Sequence, residues 1–242
     1  MILLFTDFGW QGPYVGQLHL ALAQEAPGIR VIDLMHDAPA FSPIAAGHLL
    51  SALVDRVPAE TVVVAVVDPG VGSARHPLLV EAAGRRFVGP DNGLLAPVTH
   101  RYEAVDVRII EWRPPRLSAS FHGRDLFAPA AARLVRGAEV ATTPLPRPQM
   151  VGAGEPTWRP EVIYIDGYGN AWTGIPAGDL PTGAGIAVGG TLLPRARTFS
   201  DVERGQAFWY ENSASLVEIA VRQGSAAERL GLRLGAPISI SS

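Results

Sequence analysis

The chain has 242 residues, 48% hydrophobic and 18% charged, with a formal net charge of −3. That is material for one large or two small globular domains, and the charge balance points to neither nucleic acid nor an anionic membrane surface. All twenty basic residues are arginine and cysteine is absent, which excludes a lysine Schiff base, a Walker-type lysine, disulfides, thiolate metal ligands and a cysteine nucleophile.

The first stretch, "MILLFTDFGWQG", lacks a basic n-region, and its apolar run is too short for a signal peptide. No segment approaches the roughly 18 apolar residues of a membrane span, so a soluble cytoplasmic protein is expected. "ILLFT" (2–6) reads as a buried strand. Pro13 takes a first helical position, after which Val15, Leu18 and Leu22 recur on one face. "IRVIDL" (29–34) is a second strand. Ser42-Pro43 opens a helix as cap and first residue, and Pro58 closes it near Val57. "TVVVAVV" (61–67) has no polar alternation, as in a strand covered on both faces. "LLVEAAGRRFVG" is two short strands around Ala-Gly, and Asp125 caps a helix, "LFAPAAARLVRG", that Gly137 ends.

This alternation predicts an α/β layered domain with a central, largely parallel sheet over 1–142. "TTPLPRPQMVGAGEPTW" is Pro/Gly-rich and aperiodic, and residues 143–157 are read as a linker. Short β-like runs ("EVIYI", "GIAVGG", "QAFWY", "SLVEIAV") and one late helix at "SAAERLG" make 158–242 a small, β-barrel-like, all-β domain.

"VVDPGVGSARHP" (66–77) begins like a phosphate loop but fails as one. The third glycine of a dinucleotide fingerprint is replaced by Arg75, no GK[ST] follows, and the next segment reads as a strand. Its glycines permit a tight turn. Asp68 and Arg75 remain, at the carboxyl end of a buried strand, where open α/β sheets bind ligands; on this loop alone they also read as a structural salt bridge. Asp7 ends the first strand, able to cap a helix or to accept ribose hydroxyls. His36 and Asp37 end the second and resemble a metal pair, but no third ligand stands nearby in sequence. In "SFHGRDLF", Asp125 and Arg124 have structural work and His122 does not. Titratable groups thus gather at strand ends while the core runs are free of them, which argues for a site. In "IDGYGNAWTG", Asn170 offers paired donor and acceptor groups, and Tyr168 and Trp172 offer flat faces suited to a purine. Ser213 and Glu218 flank the start of a strand.

Together "TDFG…YVG", "HDAPAF", "VVDPGVGSAR", "GPDNGLL", "FHGRDLFAPAAA", "YGNAWTG" and "NSASLVEIAV…GSAA" span nearly the whole chain. In that order they resemble the S-adenosylmethionine (SAM) hydrolases, or hydroxide adenosyltransferases, relatives of the SAM-dependent fluorinases and chlorinases. The resemblance implies an N-terminal α/β domain with a small β-barrel-like partner, in homotrimers with sites between subunits. It implies catalysis by Asp68, Arg75 and His122 and ribose binding by Asp7. Phe41 would lie near the sugar, with Tyr168 and Asn170 at the adenine, Ser213 and Glu218 near the methionine end, and the backbone around Ala226 in further nucleoside contacts. "YGN" stands where the family usually has "FGN", and "WTG" where "TNI" is usual. The implied reaction hydrolyses SAM, with its (R)-sulfonium epimer as one candidate substrate, to adenosine and L-methionine, with no cofactor and no metal. Halogenating relatives carry an aromatic residue at the position of Asp68, so water is the expected nucleophile. The competing readings are a halogenase (adenosyl-chloride synthase), a non-catalytic SAM or adenosine binder and, more distantly, an NAD enzyme.

Overall fold

A computed structural model describes residues 1–241, and the chain divides into two compact units, Met1–Glu155 and a second from Pro156 onward. The first unit runs β1 (Ile2–Thr6), α1 (Tyr14–Glu25), β2 (Val31–Met35), α2 (Pro43–Leu53), β3 (Val62–Val66), β4 (Pro77–Ala82), β5 (Arg85–Pro90), α3 (Ala96–Arg101), β6 (Val105–Ile110), α4 (Ala128–Val135) and β7 (Thr142–Pro144). Its seven strands lie in the order β2-β1-β3-β5-β4-β6-β7. β2, β1, β3 and β5 are parallel; β4 opposes both β5 and β6, and β7 opposes β6. The sheet is therefore mixed but mostly parallel, with β4 and β7 reversed.

Burial follows from the apolar runs. Ile2 and Leu4 of β1 pack with Val62, Val64 and Val66 of β3 against Leu18 and Leu22 of α1 and the alanines of α4. The alternate residues Leu3, Phe5, Val63 and Ala65 point to the other face and are buried too. Truncating Phe5 to alanine there would cost about 3–5 kcal/mol. On α2, an added Cβ on Gly47 would meet the Leu94 carbonyl oxygen at 2.4 Å and the Pro97 ring at 2.9 Å, so the glycine lets α2 lie close against the start of α3. The β4–β5 hairpin turns on Ala83 and Gly84, both with positive φ (49° and 73°), as a two-residue turn between twisted strands requires.

Three local expectations need adjusting. Pro13 is the residue before α1, which starts at Tyr14, and the second helix ends at Leu53 with a 3-10 turn at Val54–Arg56. The Pro/Gly-rich stretch is partly ordered: Thr142–Pro144 pairs with β6, and Arg147–Gln149 forms a 3-10 turn.

The second unit holds β8 (Arg159–Ile165), β9 (Ala171–Pro176), β10 (Gly185–Val188), β11 (Thr191–Leu193), β12 (Ala207–Glu211), β13 (Leu216–Val221), α5 (Ala226–Leu230) and β14 (Ser239–Ser241). A four-stranded antiparallel sheet, β12-β13-β9-β8, and a three-stranded one, β11-β10-β14, enclose a core of Val162, Ile175, Ile186, Val217, Ile219 and Trp209. α5 is capped at Ser225, whose hydroxyl accepts from the Glu228 N–H at 3.1 Å, and is ended by Gly231 at φ 63°.

Candidate active site

β1 lies between β2 and β3, so the chain leaves β1 toward one neighbour and returns on the other side of it. Such a switch point opens a crevice at the carboxyl ends of the strands. Asp7 directly follows β1 and Asp68 follows β3, and the Asp7 N–H donates to the Val66 carbonyl at 3.3 Å. Burial raises the Asp7 carboxyl above its usual range and the nearby Asp68 charge adds to this, while its own N–H and that of Phe41 oppose it. Phe41 is held at φ 59° with its side chain out in solvent at 83% exposure, a backbone state that costs an aromatic residue energy.

Arg75 closes the cluster. Its Nε donates to Asp68 Oδ1 at 2.6 Å, and its Nη2 donates both to Asp68 Oδ2 and, at 3.2 Å, to Nδ1 of His122. The pair is nearly dry, with side chains 4% (Asp68) and 8% (Arg75) exposed. The guanidinium also lies 5.8 Å from the centre of the Phe127 ring. Because a guanidinium can only donate, Nδ1 of His122 must accept, which puts the imidazole hydrogen of the neutral ring on Nε2. Burial, and then the Arg75 charge, hold His122 below the ordinary histidine range.

The loop between Asp68 and Arg75 folds sharply because Gly72 adopts φ 84°; a Cβ there would meet the Ala119 carbonyl oxygen at 2.6 Å. The loop thus lies against the segment that leads to His122. Behind it, Asn92 Nδ2 donates to the Val67 carbonyl at 2.9 Å, one residue before Asp68. Within "GPDNGLL" this asparagine positions the loop, a role that the sequence pattern alone does not single out.

His122 precedes a π-helical turn, Gly123–Phe127, that runs straight into α4. The expected capping role of Asp125 is wrong. Asp125 lies inside the π turn and accepts from the Ser118 N–H at 2.9 Å and from Arg124 at 2.5 and 2.9 Å, while Arg124 also reaches Gln17 at 2.6 Å. The π turn makes the difference: its extra residue lets the chain enter α4 without a break, leaving no free helix start to cap. Gly137, by contrast, ends α4 with φ 72° as expected.

The expectation that His36 lacks further ligand-type neighbours is also corrected. His36 meets Asp33, three residues earlier, at 3.0 Å, and that carboxylate meets His19 of α1 at 2.8 Å.

In the second unit, Asp166, Tyr168, Asn170, Trp172, Ser213 and Glu218 are among the residues lining a cavity of about 720 Å³. Asn170 and Tyr168 both hang on Asp166, whose Oδ1 accepts their backbone N–H groups at 2.9 Å and whose Oδ2 accepts from Asn170 Nδ2 at 3.0 Å. Sequence reasoning misses Asp166, although it opens the same "DGYGN" turn. Glu218 is buried and accepts from Tyr210 Oη at 2.7 Å and Asn212 Nδ2 at 3.0 Å. Burial raises its carboxyl, against the two hydrogen bonds, and holds the Tyr210 hydroxyl protonated. Trp172 keeps a buried, unpartnered indole N–H. Tyr168 is 83% exposed, and Ala226 is buried rather than lining the cavity. Its helix is nevertheless tied to the turn, because Ala227 N–H donates to the Gly169 carbonyl at 2.9 Å, and a Cβ on Gly169 would collide with the Ser225 hydroxyl.

An α/β unit with a partly buried Asp–Arg–His cluster at its switch point, followed in the chain by a β unit with a carboxylate-lined cavity, defines an enzyme acting on a small polar molecule. Residues 2–143 match the SAM hydroxide adenosyltransferase N-terminal domain and residues 160–239 the corresponding C-terminal domain. The chain is 38% identical to an (R)-S-adenosyl-L-methionine hydrolase of Thermus thermophilus, covering 99% of this chain and 98% of that one. It is 36% identical to one from Salinispora arenicola, covering 98% and 96%. Its fold matches an uncharacterised conserved protein from Thermotoga maritima with TM-score 0.85 at 30% identity over all of both chains. A conserved hypothetical protein from Thermus thermophilus gives 0.79 at 33% identity, covering 99% of each. The protein belongs to the SAM hydroxide adenosyltransferase family.

Proposed function

We propose that the protein hydrolyses SAM, specifically its (R)-sulfonium epimer, to adenosine and L-methionine, with water attacking ribose C5′. The observation that carries this reading is the closed Asp68–Arg75–His122 cluster at the carboxyl end of β3. Methionine leaves as a neutral thioether, so its departure needs no acid and the chemistry falls on the water. Forming free hydroxide at pH 7 would cost about 12 kcal/mol, from water's pKa of about 15.7. The proton therefore moves as the C–O bond forms. The Nε2–H of His122 orients the water. Asp68, whose two oxygens keep lone pairs beyond those bound by Arg75, accepts the proton. The Arg75 charge stabilises the developing oxyanion.

Asp7, with Phe41 near it, takes the ribose hydroxyls. Tyr168 and Asn170 take the adenine, with the backbone at Ala226 behind them. Asp166 and Glu218 give the cavity a negative wall suited to the methionine ammonium, and Ser213 faces its carboxylate. Phe41 and Tyr168, each 83% exposed, are aromatic faces without cover in their own unit, in keeping with a site completed between subunits of a homotrimer. No cofactor takes part in this scheme.

Chromatography of reactions with each SAM epimer tests the reading: adenosine and methionine should appear in equal amounts, faster from the (R) epimer. Asp68 is neutralised by Arg75, so its charge alone does not bar halide. 5′-Chloro-5′-deoxyadenosine formed in chloride would favour halogenation, and tight adenosine binding without methionine release would favour a binding protein.

A further inference from the structure

The His19–Asp33–His36 cluster is not used by this mechanism, and the inference drawn from it does not depend on the proposed reaction. Among the described residues it is the one group of His, Cys, Asp or Glu side chains whose potential ligand atoms, within 4.8 Å of one another, suit a metal ion. The three come from two neighbouring parts of the chain. His19 projects from α1, Asp33 from β2, and His36 follows the end of β2. Asp33 Oδ1 is 2.8 Å from Nε2 of His19 and 3.0 Å from Nε2 of His36.

We propose that His19, Asp33 and His36 form a three-ligand site for a borderline divalent transition-metal ion, with zinc the reference case. Two imidazoles and one carboxylate are the donor set that selects zinc, cobalt or nickel over magnesium or calcium. Tetrahedral ligation at about 2.0–2.1 Å places neighbouring ligand atoms roughly 3.4 Å apart. The two separations to Asp33 therefore need to open by about 0.4–0.6 Å, and His19, 36% exposed on α1, is free to make that adjustment.

The outer partner is already in place. His36 is wholly buried, and its Nδ1 lies 2.7 Å from Thr6 Oγ1, which also accepts the Phe8 N–H at 3.3 Å. A metal-bound imidazole characteristically donates its second N–H to an oxygen, fixing tautomer and ring plane, and Thr6 supplies that oxygen. With the metal absent, Nε2 of each ring donates its hydrogen to Asp33. Metal entry moves the hydrogen of His36 to Nδ1, so this ring exchanges tautomers without losing a proton. Asp33, 27% exposed, and His19 leave the fourth position open to water.

The ion would tie α1 to β2 and to the loop after it, beside the two segments that carry Asp7 and Phe41. Thr6 immediately precedes Asp7, the Gly9 N–H donates to the His36 carbonyl at 2.6 Å, and the Ala38 N–H donates to the Thr6 carbonyl at 3.1 Å. The site is thus a staple behind the loops of Asp7 and Phe41, and it acts on their order rather than on the reaction.

The experiment uses the full chain stripped with chelator and titrated with Co²⁺ while the visible d–d absorption is followed. Thermal unfolding is measured in parallel with Zn²⁺ or Mg²⁺. One Co²⁺ should bind per chain with a four- or five-coordinate spectrum, and Zn²⁺ but not Mg²⁺ should raise the melting temperature. His19→Ala should weaken Co²⁺ binding by at least the ten- to hundredfold that loss of even an outer partner costs. Since His19 is partly exposed, that variant should melt like the wild type in chelator. Asp33→Asn should behave as His19→Ala does, and His122→Ala should bind Co²⁺ normally. No stoichiometric spectrum in the wild type, or equal binding by His19→Ala, overturns the proposal.

Discussion

Nη2 of Arg75 donates to Nδ1 of His122 across 3.2 Å while the same guanidinium grips both oxygens of Asp68. One side chain thereby sets the tautomer of the histidine and the orientation of the carboxylate. Arg75→Ala would leave that carboxylate buried and unpaired, a loss of about 3–5 kcal/mol. Urea unfolding should show the drop, and Asp68→Asn in the same background should recover part of it. If the double variant is no more stable than Arg75→Ala, the pair is not the source of the loss.

Protonating His122 would cost Nδ1 its bond from Arg75 and disorder the cluster, and the lowered His122 puts that acid limb of kcat/KM below the ordinary histidine value of about 6.5. Removing the neighbouring cation with Arg75→Gln should move that limb to higher pH. His122→Gln should erase it and slow turnover by about 10²–10⁴-fold with little change in SAM affinity. A pH–rate series on the three proteins decides this, and an unmoved limb in His122→Gln would assign it to another group.

Gly72→Ala forces a Cβ toward the Ala119 carbonyl at a φ of 84°. The variant should lose about 1–3 kcal/mol and most of its activity, because the loop can no longer seat Asp68 and Arg75 against His122. Wild-type turnover in this variant, measured by adenosine release, would show that the approach is not needed.

Phe41→Gly separates strain from binding. Releasing the φ 59° backbone is offset by the extra chain entropy of glycine, each about 1 kcal/mol. The melting temperature should stay nearly constant while KM for SAM rises. A large fall in melting temperature would mean that the ring supports the fold.

Glu218 is raised chiefly by burial, so the folded chain holds this proton more tightly than the unfolded one. Its stabilising effect is complete below the unfolded value of about 4.3 and is lost as pH climbs through the folded value. Glu218→Gln should therefore flatten the decline in stability seen from about pH 4 toward pH 7 by urea unfolding. An identical decline in the variant would place its origin elsewhere.

The strands β1 and β3 are legible in the sequence because five successive buried positions are apolar or nearly so in each, and a doubly covered strand reads that way. β6, "VDVRII", is less legible, because only Val107 and Ile110 of it are buried and no unbroken apolar run marks it. Asp68, Arg75 and His122 can be singled out as strand-end or unexplained polar groups, and the structure brings them within hydrogen-bond reach. The link between Asp33 and His19 is out of reach: fourteen residues and a change of element separate them, and no local spacing rule joins a helix face to the next strand. Asp125 misleads because a polar residue before an apolar helical run looks the same whether the helix begins there or continues from a π turn.

That π turn also bears on how the chain tolerates changes in length. Deleting one residue from Gly123–Phe127 would regularise the helix and turn everything before it by about 100°. The His122 ring would swing away from Arg75, yet the core would still be filled by Phe127 and the alanines of α4. A homologue one residue shorter here is expected to fold normally and to have lost the hydrolytic apparatus, so the spacing of this segment is a better sign of retained activity than the presence of the histidine itself.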